Sequence, residues 1–193
     1  MKTLNEIVRS ISTKFGYEYE SIQSFINIET GGKGFNGNKL IIQFEPSWFK
    51  KREPYAPSGA WSVNKVERQV KEWIAFNNAF SIDPDSAMES TSIGIGQVMG
   101  GNWKRLGYKS VGEMWDDAKK GIDRQVWQMC QFIHTDKELE LSLKRHDWCK
   151  VAYIYNGSGY RALAKKYNRV PYDVSMSLEY TRLKWKTTES FNQ

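Results

Sequence analysis

The strongest constraint in this chain is an apolar helical stripe that runs into a carboxylate and then into two glycines. Ile22, Phe25, Ile26 and Glu29 recur at i, i+3, i+4 and i+7, the spacing of one helical face. Glu29 is therefore predicted to point where the core points. Gly31 and Gly32 follow at once and supply the left-handed backbone that ends a helix. At such a position desolvation and the negative end of the helix dipole both oppose ionisation, so the protonated acid is favoured near neutral pH. A general acid must hold that state before it protonates a leaving group. A half-buried Glu paired with Lys or Arg would produce the same pattern, so the stripe alone does not settle the chemistry.

At 193 residues the chain is long enough for one well-buried core, and a single domain over residues 1–193 is expected. Its 40% hydrophobic and 14% aromatic content excludes a disordered chain. No apolar run reaches the length of a membrane span, and the polar start Met1-Lys2-Thr3-Leu4-Asn5-Glu6 leaves no room for a signal-peptide core. The expectation is synthesis in the cytoplasm, with no stable membrane insertion. Cys130 and Cys149 are read as free thiols on core-facing helices, with a single bridge left open. No Cys or His spacing resembles a zinc site, and neither a metal nor another cofactor is expected. His134 and His146 fall near predicted helix ends and are read as solvated caps. The net charge of +6 is scattered along the chain and would attract nucleic acid, a lipid surface or an acidic wall polymer alike.

Along the chain, Leu4 to Phe15 reads as an amphipathic helix stopped by Gly16, and the Glu29 helix follows. Gly31 to Asn38 reads as a turn, and Lys39 to Pro46 as a strand closed by proline with Glu45 at its exit. From Val63, the positions Val66, Val70, Trp73, Ile74 and Phe80 suggest a long amphipathic helix, and Asp85 to Ser90 one further turn. Ser92 to Asn102 interrupts the helical pattern with glycines, which implies a backbone that approaches something closely. Ser110 with Glu113 forms a capping box, and Ile122, Val126, Met129 and Ile133 make a core stripe. A short helix over Leu139 to Leu143 precedes one capped by Asp147 that breaks at Asn156-Gly157. Helices over Arg161 to Tyr167 and Val174 to Lys186 finish the chain. The predicted class is mainly α, with roughly eight helices and one small β-hairpin or sheet.

Three features stand in chain order: Glu29 at a helix end, Gly94-Ile95-Gly96-Gln97, and Tyr155-Asn156-Gly157 at a later helix end. That order resembles the lysozyme superfamily. A closer likeness, carried by Ile28 to Phe35, Gln43 to Phe49, Ser92 to Asn102 and Tyr155 to Tyr160, is to the muramidase domain of phage endolysins. Ile93 departs from the pattern where tryptophan is common. The resemblance implies a lysozyme-like fold and cleavage of peptidoglycan glycan strands between N-acetylmuramic acid and N-acetylglucosamine, without a separate wall-binding domain. It implies Glu29 as general acid and Glu45 as second carboxylate, with Gln97, Asn102, Asn156, Tyr160 and Trp48 on the substrate. A monomer acting on the wall after release through an accessory pore, without nucleic acid, is the matching expectation. The same order is shared by lytic transglycosylases, which use one Glu as acid and then base. A non-catalytic basic module that binds wall or nucleic acid is the alternative from another class.

Overall fold

The structure is a computed structural model that describes residues 2–65 and 68–191, with side chains as far as Lys186. In chain order its helices are α1 (Leu4–Phe15), α2 (Tyr19–Thr30), α3 (Pro46–Arg52), α4 (Gln69–Phe80), α5 (Pro84–Glu89), α6 (Trp103–Leu106), α7 (Val111–Lys119), α8 (Ile122–His134), α9 (Lys137–Lys144), α10 (Trp148–Tyr155), α11 (Tyr160–Lys166) and α12 (Tyr172–Phe191). The strands are β1 (Phe35–Asn36), β2 (Lys39–Leu40), β3 (Ile42–Phe44), β4 (Thr91–Ile93) and β5 (Val98–Met99). The chain divides into two compact units, Met1–Gly31 with Ile133–Gln193, and Gly32–Phe132, so one division falls inside α8.

Among the described residues the first unit contains helices and no strand. The Thr3 side chain accepts from the Glu6 backbone N–H and the Glu6 carboxylate accepts from that of Thr3, a reciprocal cap that opens α1. Gly16, at φ 70°, closes it. On α2 the predicted stripe holds: Ile22, Phe25 and Ile26 are fully buried. This helix packs on α12 and α1, while α10 packs on α9 and α12. Val8, Leu139, Val151, Ala152 and Met176 are also fully buried in this core.

The second unit holds the β structure. β1 and β2 form a two-residue-wide hairpin, with Phe35 opposite Leu40. β3, β4 and β5 form an antiparallel sheet, pairing Ile42 with Ile93 and Ile93 with Val98. The predicted strand from Lys39 is thus broken at Ile41, and its two halves join different sheets. Pro46 does close the strand, but it also opens α3, where its missing N–H costs nothing.

The free edge of β3 is covered by side chains of α4. Gln69 accepts from the Ile42 N–H at 2.9 Å and donates to its carbonyl at 2.8 Å, while Glu72 accepts from the Phe44 N–H at 2.9 Å. An edge satisfied in this way offers no template for another strand. It also reverses the predicted face of α4. Glu72, Ala75, Phe76 and Ala79 are buried, whereas Val70 is 71% and Ile74 is 55% exposed. The α-helix begins at Gln69 and not near Val63, which ends a short 3-10 turn; Val66 lies outside the described residues.

Candidate active site

Glu29 sits in the last turn of α2, and Gly31 and Gly32 follow at φ 61° and 87°. The side chain is half-buried, and burial pushes its pKa up to about 7 from an ordinary 4.5. The opposing influence is Tyr172, whose hydroxyl donates to Glu29 Oε1 from the first turn of α12. Burial, the Glu29 carboxylate and the neighbouring Tyr155 raise the Tyr172 pKa well above the usual phenol value, so Tyr172 stays a protonated donor. Tyr155 in turn packs on Phe25 of the Glu29 helix, with ring centroids 4.4 Å apart. A carboxyl titrating near 7 beside a fixed phenol is suited to giving and taking one proton at neutral pH. Tyr172 was not picked out from the sequence. It lies far from Glu29 along the chain, and only the packing of α12 on α2 reveals the pairing.

Of the other residues singled out in this unit, Asn156 is the exposed C-cap of α10. Tyr160 is only 7% exposed, and its hydroxyl accepts from Arg161 Nε at 2.9 Å. Arg161 also holds Asp173 at 2.5 Å, and Cys149 donates to the same carboxylate. Cys149 is exposed, contrary to the core position read from its helix, while Cys130 in the second unit is fully buried; both are free thiols.

In the second unit, Glu45 leaves β3 as the N-cap residue of α3 without capping through its side chain. Among the described residues its carboxyl has one hydrogen-bond partner, Gln43 Nε2 at 2.6 Å. It accepts no backbone N–H and pairs with none of Lys50, Lys51 or Arg52. Burial raises its pKa, Gln43 opposes that, and the negative charge of Glu72 adds to it. Trp48 on α3 is 45% exposed, with Lys51 Nζ 4.7 Å from its ring centroid.

The glycine-rich stretch is the β4–β5 hairpin, whose two strands the sequence pattern did not disclose. Its turn places Gly94 at φ 70° and Gln97 at φ 48°, and Gln97 Nε2 closes the turn on the Gly94 carbonyl at 2.8 Å. The close approach implied by the glycines is to α8. Gln125 accepts from the Ile95 N–H at 2.9 Å, and a Cβ on Gly96 would lie 2.7 Å from Met129 Cβ. Ile93, at the departure from the muramidase pattern, is 2% exposed in the sheet. Asn102 donates to the Met99 carbonyl at 3.1 Å. No group of three or more His, Cys, Asp or Glu side chains among the described residues is placed to hold a metal ion.

The N-acetylmuramidase family matches this chain over residues 18–184. Among solved structures, the crystal structure of the Burkholderia AP3 phage endolysin superposes with a TM-score of 0.78 at 24% identity, covering 95% of this chain and 71% of that one. No curated protein gives a significant match. The mostly helical, lysozyme-like fold is the one the sequence resemblance implied; the described residues form twelve α-helices where roughly eight were expected, and a two-stranded hairpin beside the three-stranded sheet where one small hairpin or sheet was expected. The chain belongs to the N-acetylmuramidase family.

Proposed function

We propose that this chain is a peptidoglycan hydrolase that cleaves the β-1,4 bond between N-acetylmuramic acid and N-acetylglucosamine, with Glu29 as general acid. The observation that carries this reading is the half-buried Glu29 carboxyl with its pKa raised to about 7 and one oxygen held by Tyr172. A fraction of enzyme near neutral pH then holds the proton that the glycosidic oxygen must receive. As that proton moves, the anomeric C–O bond breaks and the oxygen leaves as a hydroxyl. Water adds to the oxocarbenium-like carbon and its proton returns to the carboxylates, restoring the acid. Glu45 takes the part of the second carboxylate. Trp48 offers a ring for a sugar face, and Gln97, Asn102, Asn156 and Tyr160 offer amide and phenol groups for hydroxyls and acetamides. Residues 1–193 act as one catalytic domain in this reading. The likeness to a phage endolysin supports a role in bacterial wall lysis.

A second reading is favoured by one observation: burial raises the Glu45 pKa as well, which makes it a poorer ionised partner. A lytic transglycosylase needs only Glu29, with the sugar closing on itself in place of water. Mass spectrometry of digested peptidoglycan separates the two. Reducing muramic ends support hydrolysis, and anhydro ends overturn it in favour of transglycosylation. Reducing N-acetylglucosamine ends would overturn the assigned bond.

A further inference from the structure

Between Tyr160 and Tyr172 the chain carries Arg161, Lys165, Lys166 and Arg169 and no acidic residue. Arg161 is engaged by Asp173. Lys165, Lys166 and Arg169 are exposed and have no carboxylate partner among the described residues. Beside them, Leu163 is 51%, Tyr167 55% and Val170 58% exposed. Two of the cations lie over the Tyr167 ring: Lys166 Nζ is 5.2 Å and Arg169 Cζ 5.3 Å from its centroid.

The surface is also held in shape. Ala164 and Tyr160 anchor α11 in the core at 7% exposure each. Asn168, at φ 49°, ends the helix, and the Arg169 N–H closes back on the Ala164 carbonyl at 2.9 Å. Little further ordering would be needed for this surface to bind.

We propose that the α11 surface, from Leu163 to Val170, docks peripherally on an anionic phospholipid bilayer. The charge requires an anionic partner, and the apolar tips choose among anionic partners. A soluble polyanion satisfies Lys165, Lys166 and Arg169 but offers nothing to Leu163 and Val170. A bilayer offers phosphates at the level of the cations and acyl chains just beneath, with Tyr167 suited to the boundary. A second copy of this chain would set like charges against each other. No helix among the described residues is long and apolar enough to cross a membrane, so this is a surface attachment.

The test uses the full chain in co-sedimentation with vesicles of phosphatidylcholine alone and of phosphatidylcholine with phosphatidylglycerol, with soluble polyphosphate as a parallel probe. Of the two kinds of vesicle, binding to the anionic one alone is expected, with polyphosphate bound through the cations. Lys165→Gln with Lys166→Gln should weaken it about 30-fold, the loss expected for two cations near an anionic surface. Leu163→Ser with Val170→Ser should weaken vesicle binding by roughly fivefold or more while leaving polyphosphate binding unchanged. All four positions are exposed, so circular dichroism and activity on purified sacculi should match the parent. No preference for the anionic vesicles would overturn the proposal. So would unweakened vesicle binding by the Leu163 and Val170 variant, which would reduce the surface to a polyanion site.

Discussion

Tyr172→Phe isolates the one hydrogen bond among the described residues that touches the Glu29 carboxyl. The bond favours the ionised form, because a phenol donates more strongly to a carboxylate than to a neutral acid. Its removal leaves burial less opposed, so the Glu29 pKa should rise from about 7. A hydrogen bond to a charged acceptor contributes about 1.5–3 kcal/mol, which corresponds to roughly one to two pH units. The general acid must be protonated, so activity on the alkaline side should extend to higher pH by that amount. The peak rate should fall only severalfold, since the carboxyl itself remains. The assay is kcat/KM against pH on peptidoglycan, with the 13C shift of the Glu29 carboxyl followed in parallel and assigned by its absence in Glu29→Gln. A purely structural Tyr172 would lower activity evenly across pH. An alkaline limb that stays in place, or moves to lower pH, would falsify the argument that Tyr172 tunes Glu29.

Glu29→Gln should lower activity well over tenfold, equivalent to more than about 1.4 kcal/mol of transition-state stabilisation, and retention of a tenth or more would exclude the general-acid role. The same variant makes a stability prediction of definite sign. The Glu29 pKa is higher folded than unfolded, so its contribution to stability is present below about 4.5 and lost as pH rises through about 7, a cost of ~3 kcal/mol at most. Glu29→Gln should therefore melt higher than the parent at alkaline pH and much like it in acid; parallel melting curves at both pH values would contradict this. For Glu45→Gln, with Gln43 its single hydrogen-bond partner among the described residues, stability should change by about 1 kcal/mol or less while turnover falls more than about tenfold. A large fall in melting temperature with a matching loss of activity would make Glu45 a brace. Gly96→Ala pushes a methyl toward fully buried Met129 and should cost about 1–3 kcal/mol, read by urea denaturation. An unchanged midpoint would show that α8 yields at that point.

The elements written into local spacing are the ones the sequence determined alone. The stripe of Ile22, Phe25, Ile26 and Glu29, the stop at Gly31, and the caps at Ser110 and Asp147 each depend on residues within one or two turns, and each is found in the structure. The glycine-rich order that marks the family was equally legible, because it is a matter of residue identity. Tertiary structure decided what depends on partners distant in sequence. α4 hides Glu72 and exposes Val70 because its buried face serves the unpaired edge of β3, and a hydropathy pattern rates a carboxylate as a surface residue whatever it satisfies. The glycines of the β4–β5 hairpin make room for Gln125 and Met129 of α8, a contact no local period encodes. Placing Glu29 at a helix end needed only the sequence. Raising its pKa to about 7 and giving it Tyr172 required the burial and long-range packing that only the folded chain supplies.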